Sequence, residues 1–301
     1  MTGVLAHAGV RLTTEALIAL RHIALTDHGN PTMTALPGGF LTRKRGQGVE
    51  VADVREYVDG DDIRHLDRGT TARTGRLHIR QFQEEQDRVA LLVADFRAPM
   101  FWGLRRAFLS VAAAEALTLI GWFMVESGGR VGLLALTTGA PVIVPLRGKT
   151  RGMLDVIGGM VQAHAHSLTG LQKGEDESWT LEQALVGVER LTPTGAEIII
   201  ASGFDQQGGG FSDVLDRLDH RRNPRLLLVT ESKAHEMPKG WYPFRLSDGR
   251  QKRVYLAQAE PSGELAFQKV ATHPALVLNA SDPVEQTSRR ISSVFAARYV
   301  A

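Results

Sequence analysis

The sequence contains no cysteine, which excludes a disulfide framework, thiol chemistry and Cys-ligated zinc, and fits a reducing compartment. A surplus of one charge is missing too. Lys and Arg number 35 against 33 Asp and Glu, a net charge of +2, so the sequence pI of about 9.0 reflects a small excess of bases. That balance gives no case for a polycationic nucleic-acid surface. Long apolar runs are also lacking. The most apolar stretch, Val111–Val125, carries Glu115 and falls short of a bilayer span of roughly 20 residues. It predicts a buried helix, and no membrane span is expected. The first 27 residues lack the basic, apolar and small-residue order of a secretory signal, so a cytoplasmic location is expected. What remains is an ordinary globular composition: 301 residues with 43% hydrophobic content supply core for one large domain or two ordinary ones.

Apolar spacing predicts an amphipathic helix over Leu12–Leu25, followed by Pro, Gly and basic residues from Asn30 to Gly48 that read as loop. Alternation at Arg76–Phe82 predicts a strand. Val89–Ala94 is a continuous apolar run ending at Asp95, the pattern of a buried parallel strand with an acid at its carboxyl end. A long helix is expected from about Leu104 to Glu126. Strands then follow at Val131–Leu136, Val142–Leu146, Glu197–Ala201 and Leu226–Thr230, with helices near Met153–Ala165, Leu181–Arg190 and Phe211–Arg221. Further strand-like segments lie at Arg253–Ala257 and Ala275–Leu278, and a closing helix at Pro283–Val300. This alternation is the rhythm of an open α/β sheet, whose ligand sites gather beyond the carboxyl ends of the strands. We expect residues 1–86 to form an N-terminal extension and residues 87–301 the α/β domain.

The most distinctive segment runs from Gly46 through Val54-Arg55-Glu56-Tyr57, Gly60-Asp61-Asp62-Ile63-Arg64-His65-Leu66-Asp67 and Thr71-Ala72-Arg73-Thr74. With His78–Glu85, Asp95, Met100, Gly103 and Arg130-Val131-Gly132, it resembles the bacterial family called domain of unknown function fifty-eight. The resemblance implies a von Willebrand factor A-like fold, that is, a Rossmann-like, open, mostly parallel sheet flanked by helices, with an N-terminal helix and a β-containing extension. Because many family members are encoded beside MoxR-type AAA+ ATPases, it also implies an accessory protein that works with such an ATPase. One departure falls inside the signature, where Arg68-Gly69 stand in place of the family's Trp.

The resemblance also sharpens a metal question. Domains of this type hold Mg²⁺ through an Asp-x-Ser-x-Ser loop, a Thr from a second loop and an Asp from a third, because a hard cation needs converging oxygen ligands. Here the first loop reads Asp95-Phe96-Arg97-Ala98-Pro99, so both hydroxyls are lost. Ser178 or Thr180 is left to replace the Thr, and Gly203 stands where the third-loop Asp is expected, with Asp205 displaced from it. No tight metal site and no cofactor are therefore expected. Either Arg97 pairs with Asp95 in place of the cation, with Asp205 as a further partner, or it points to solvent.

Other motifs weigh less. Between Arg43 and Arg88 ten bases face ten acids, which reads either as a recognition surface for a partner or as an internal ion-pair lattice that locks the extension onto the main domain. Candidate partner contacts are Arg55, Tyr57, Asp61, Asp62, Arg64, Asp67, Arg68, Arg73 and Arg97. Asp62 and Asp67 are expected to cap turns or pair with Arg64 and Arg73. Gly148-Lys149-Thr150 lacks the upstream Gly of a phosphate loop. His164 and His166 face different sides of a helix and are expected to be solvated. Trp102, Trp122 and Phe123 are expected in the core, while one or two of Trp179, Trp241, Tyr242 and Phe244 could form an exposed patch. The leading expectation is a non-catalytic adaptor. The alternatives are a metal- or small-ligand-dependent enzyme around Asp95, Ser202 and Asp205, and nucleic-acid binding through Arg43, Lys44 and Arg45.

Overall fold

A computed structural model of the chain describes residues 9–26, 50–58, 61–83, 88–175, 179–231, 240–245, 251–256 and 266–295. In chain order its elements are α1 (Thr14–Thr26), β1 (Glu50–Glu56), α2 (Arg68–Thr74), β2 (His78–Gln83), β3 (Val89–Asp95), α3 (Leu109–Glu126), β4 (Arg130–Leu136), β5 (Val142–Gly148), α4 (Lys149–Lys173), α5 (Leu181–Ala184), β6 (Glu197–Ser202), α6 (Phe211–Asp219), β7 (Asn223–Thr230), β8 (Gly240–Arg245), β9 (Gln251–Leu256), β10 (Phe267–Val270), β11 (His273–Asn279) and α7 (Val284–Phe295). They fall into two units: residues 1–34 with 88–301, and residues 35–87.

The larger unit is built on a seven-stranded sheet of order β10-β11-β7-β6-β3-β4-β5. β11, β7, β6, β3 and β4 run parallel, while β5 and β10 are antiparallel edges. The run from Val89 is apolar at every position before Asp95 because β3 is covered on both faces, and all seven residues are buried. On one face Ala90, Leu92 and Ala94 join α1, α3 and α4 in one core; on the other, Leu91 and Val93 join Leu181, Phe211 and Leu215 of α5 and α6. Leaving aside the edge strand β10, the order of appearance across the sheet is 3-2-1-4-5-6, the doubly wound pattern, and its reversal falls between β3 and β6. That crevice is where a ligand site is expected.

α3 is long and apolar enough to cross a bilayer, yet 83% of it is buried within the protein. It starts at Leu109 rather than near Leu104, because the chain before it is a tight loop: a Cβ on Gly103 would stand 2.1 Å from the Ala107 carbonyl oxygen. Arg106 fixes this loop through a two-pronged pair with Glu115 and a bond from Nε to the Ala280 carbonyl. α1 was expected in the extension but belongs to the larger unit. Its Leu17, Leu20 and Ala24 are buried, the Trp122 indole donates to the Leu17 carbonyl, and Arg21 lies over the Trp122 ring while pairing with Glu126. The apolar stripe of α1 thus finds its partner in α3.

The smaller unit is a β1–β2 antiparallel pair with a 3₁₀ turn at Ile63–His65 and the short helix α2. Arg55 donates both terminal nitrogens to Asp61, at 2.7 and 2.6 Å, and Asp61 also accepts the Val58 N–H. Asp62 caps the 3₁₀ turn and Asp67 caps α2. Arg68 opens that helix as an exposed residue and so adds a solvent-facing cation. Within this unit the charges pair as Arg55–Asp61, Arg64–Asp62 and Arg76–Glu56.

Two expectations fail in the core. Trp122 is buried, but Trp102 is 44% exposed because it lies in the loop before α3. His166 is exposed as expected, but His164 is buried, its Nε2 3.1 Å from Ser110 Oγ and its ring between Phe96 and Phe101 at 5.3 and 4.9 Å. His164 shares the inward stripe of α4 with Ile157 and Met160, and burial holds its pKa down at about 4. The unfolded chain therefore binds a proton first as acid is added. We predict that stability falls between pH 6.5 and about 4, by up to roughly 3 kcal/mol. Urea unfolding across this range should show a slope that His164→Gln removes.

Candidate functional site

Asp95 ends β3 at the crevice and is 1% exposed. The Phe96 N–H continues the sheet by donating to the Leu136 carbonyl at 2.8 Å. The chain then turns, with Arg97 capping a 3₁₀ turn at Ala98–Met100 in which Pro99 lies at the start, where a fixed φ and a missing N–H are tolerated. The Arg97 N–H returns to Asp95 Oδ1 at 3.1 Å. This short turn brings the guanidinium back over the carboxylate two residues before it.

Arg97 is 3% exposed. Its Nε donates to Asp95 Oδ1 at 2.9 Å and one terminal nitrogen to Asp95 Oδ2 at 2.8 Å. That same nitrogen reaches the Asp205 carbonyl at 3.2 Å, and the other donates to the Trp179 carbonyl at 2.8 Å. Ser202, at the end of β6, donates from Oγ to Asp95 Oδ2 at 2.6 Å and accepts the Phe204 N–H at 2.8 Å. Each Asp95 oxygen thus accepts two hydrogen bonds, and one side chain ties together the loops after β3, before α5 and after β6. Planar, multiply bonded pairing of this kind is what a guanidinium does better than an ammonium.

The third loop is held in a costly shape. Phe204 and Gln206 have φ of 55° and 52°, each left-handed residue costing roughly 1–2 kcal/mol. The bonds from Arg97 to Asp205, from the Leu181 N–H to the Gln206 carbonyl at 3.0 Å and from the Glu182 N–H to the Gln207 carbonyl at 2.9 Å keep it there. Thr180 and Gln183 form a capping box that starts α5. Glu182 accepts the Gly210 N–H at 2.8 Å and lies so close to Gly208 that a Cβ there would stand 2.6 Å from its carboxylate.

The sequence-predicted members of the site therefore divide. Asp95, Arg97, Ser202 and Asp205 come together, Pro99 shapes the first turn, and Ser178 lies outside the described residues. Thr180 serves as a helix cap. Although displaced by two positions, Asp205 turns back, and its Oδ2 lies 3.0 Å from where a Cβ on Gly203 would be. The residue reaches solvent, yet burial of its carboxyl and the nearby Asp95 charge raise its pKa, with Arg97 opposing. The donor set does not suit a hard dication: Asp95 is saturated, and a fixed cation occupies the confluence of the loops. The Ser202 hydroxyl of the enzyme alternative is buried and hydrogen-bonded on both sides. Sequence reading missed the Trp179 carbonyl and Glu182, although the Thr180-Leu181-Glu182-Gln183 capping pattern was legible.

Among the partner-contact candidates, Arg97 is corrected: it is buried and engaged with the protein's own groups. Arg55, Asp61, Asp62 and Asp67 are also engaged internally; Arg64 is exposed and pairs with Asp62 at 3.5 Å, Arg68 and Arg73 are exposed, and Tyr57 is half-buried. Trp179 and Trp241 are 45% and 63% exposed. The side chains of Tyr242 and Phe244, and residues 43–45, lie outside the described residues.

The fold and site define an α/β protein with a mostly parallel, doubly wound sheet and a salt-bridged carboxylate at the strand-order reversal. The chain belongs to the family described as protein of unknown function DUF58, whose model matches residues 53–271. It is similar to the uncharacterized protein Mb1516 of Mycobacterium bovis and the uncharacterized protein Rv1480 of Mycobacterium tuberculosis. Each is 36% identical over 116 residues, covering 37% of this chain and 35% of the relative. The chain thus spans about a third of the length of the curated relatives it matches. No solved structure matches it.

Removing one partner of a buried pair leaves the other charged and dry. Arg97→Ala is expected to lower stability by about 3–5 kcal/mol. An Asp95→Leu, Arg97→Met double variant should lose less than Arg97→Ala alone, as measured by denaturant unfolding; a greater loss would show that an unanswered Asp95 charge is not what destabilises the single variant.

Proposed function

We propose that this protein is a non-catalytic interaction adaptor of von Willebrand factor A-like type that works in the cytoplasm with a MoxR-type AAA+ ATPase in remodelling or maturing a protein complex. The observation that carries the reading is Arg97, whose guanidinium holds the three loops at the carboxyl edge of the sheet together. In a domain that recognises partners through a metal, the cation both organises these loops and offers a coordination position. Here the organising charge is covalently part of the chain, so the edge has a fixed shape that does not depend on cation supply. The 3-2-1-4-5-6 strand order, with an antiparallel third strand and an acid ending the first, supports the same reading.

The second contact surface is the signature unit. Asp61, Asp62 and Asp67 bond within it, and Arg64 pairs with Asp62 at 3.5 Å while staying exposed; with Arg68 and Arg73 also facing solvent, cations are left to steer a partner. Pull-down of the full chain with the MoxR-type ATPase of the same organism, with and without nucleotide, tests the proposal. The natural chain should be retained, and an Arg64→Glu, Arg68→Glu, Arg73→Glu variant should lose most of the signal. No retention in any nucleotide state would overturn the ATPase partnership.

A further inference from the structure

Trp241 and Tyr255 lie directly opposite each other in the β8–β9 pair, 63% and 52% exposed, with ring centroids 5.4 Å apart and planes at 59°. Side chains alternate along a strand, so Arg253, two residues from Tyr255, shares their face. Arg253 and its neighbour Lys252 are both exposed. Among the described residues β8 and β9 pack extensively only on each other. Two large aromatic side chains are therefore left in water.

Charge is concentrated at the same place. The twelve described residues of the hairpin, 240–245 and 251–256, hold three bases (245, 252, 253) and no acid, a net +3 in a chain whose total is +2. The remaining residues then sum to −1, so positive charge is concentrated on the strands that carry the exposed rings. Indole and phenol groups are at home where headgroups meet acyl chains, and cations nearby add attraction to anionic lipid. Base stacking would instead favour ring faces open to solvent, whereas these two rings lean on each other at an angle.

We propose that the β8–β9 hairpin is a peripheral membrane-docking element that seats Trp241 and Tyr255 in the interface of an anionic phospholipid bilayer, with Arg253, on the same face, against the headgroup phosphates. The test is co-sedimentation of the full chain with vesicles of phosphatidylcholine alone and with phosphatidylglycerol added, at low and raised salt. The chain should partition only onto phosphatidylglycerol vesicles, and salt should release it. Trp241→Ala with Tyr255→Ala should weaken partition about tenfold, and Arg253→Ala about fivefold, with unchanged circular dichroism. No binding to charged vesicles, equal binding to neutral ones, or tighter binding of a single-stranded oligonucleotide through the same residues would overturn the proposal. The natural chain's lipid preference decides it even if a variant misfolds.

Discussion

A carboxylate buried at the end of the central strand must have its charge answered, and Asp95 is answered by Arg97. Taking an ion out of water costs several kcal/mol, which only close, well-directed partners offset. Asp95 has four, two on each oxygen, and three of them come from Arg97. The remaining Arg97 contacts reach into two other loops, so satisfying one buried charge fixes the relative positions of three segments that meet at the strand-order reversal. The left-handed backbone at Phe204 and Gln206 depends on the same constraint.

This arrangement changes what the edge of the sheet can offer. A metal held by loop oxygens is shared between protein and ligand; a guanidinium donating to Asp95, Trp179 and Asp205 is turned inward. Outward-facing groups here include Asp205 and the half-exposed Trp102 and Trp179. Recognition at this edge would then rest on shape, aromatic surface and a carboxylate. In the signature unit Arg55, Arg64 and Arg76 pair with Asp61, Asp62 and Glu56, while Arg68 and Arg73 face out.

Much of this was legible from the residues. The apolar run to Asp95 places the central strand, helix–strand alternation gives the doubly wound class, and an arginine two residues after a strand-ending acid identifies Arg97 as the residue to watch. Sequence alone could not choose between pairing and solvent for Arg97, because that depends on the Trp179 carbonyl, which lies more than eighty residues away in the chain. It misplaced α1, whose stripe fits α3 rather than the strands after it, and the start of α3, where the backbone contact at Gly103 is invisible to periodicity. His164 was read from its spacing to His166, when its spacing to Ile157 and Met160 was the better guide.

The central claim is that Arg97 occupies the role of a cation at the crevice. Calorimetric titration of the natural chain with Mg²⁺ and Mn²⁺, beside an Arg97→Ser, Pro99→Ser variant that puts hydroxyls in this loop, tests it most directly. The account predicts no specific heat of binding for the natural chain and a measurable one for the variant. Tight, saturable binding by the natural chain would contradict it.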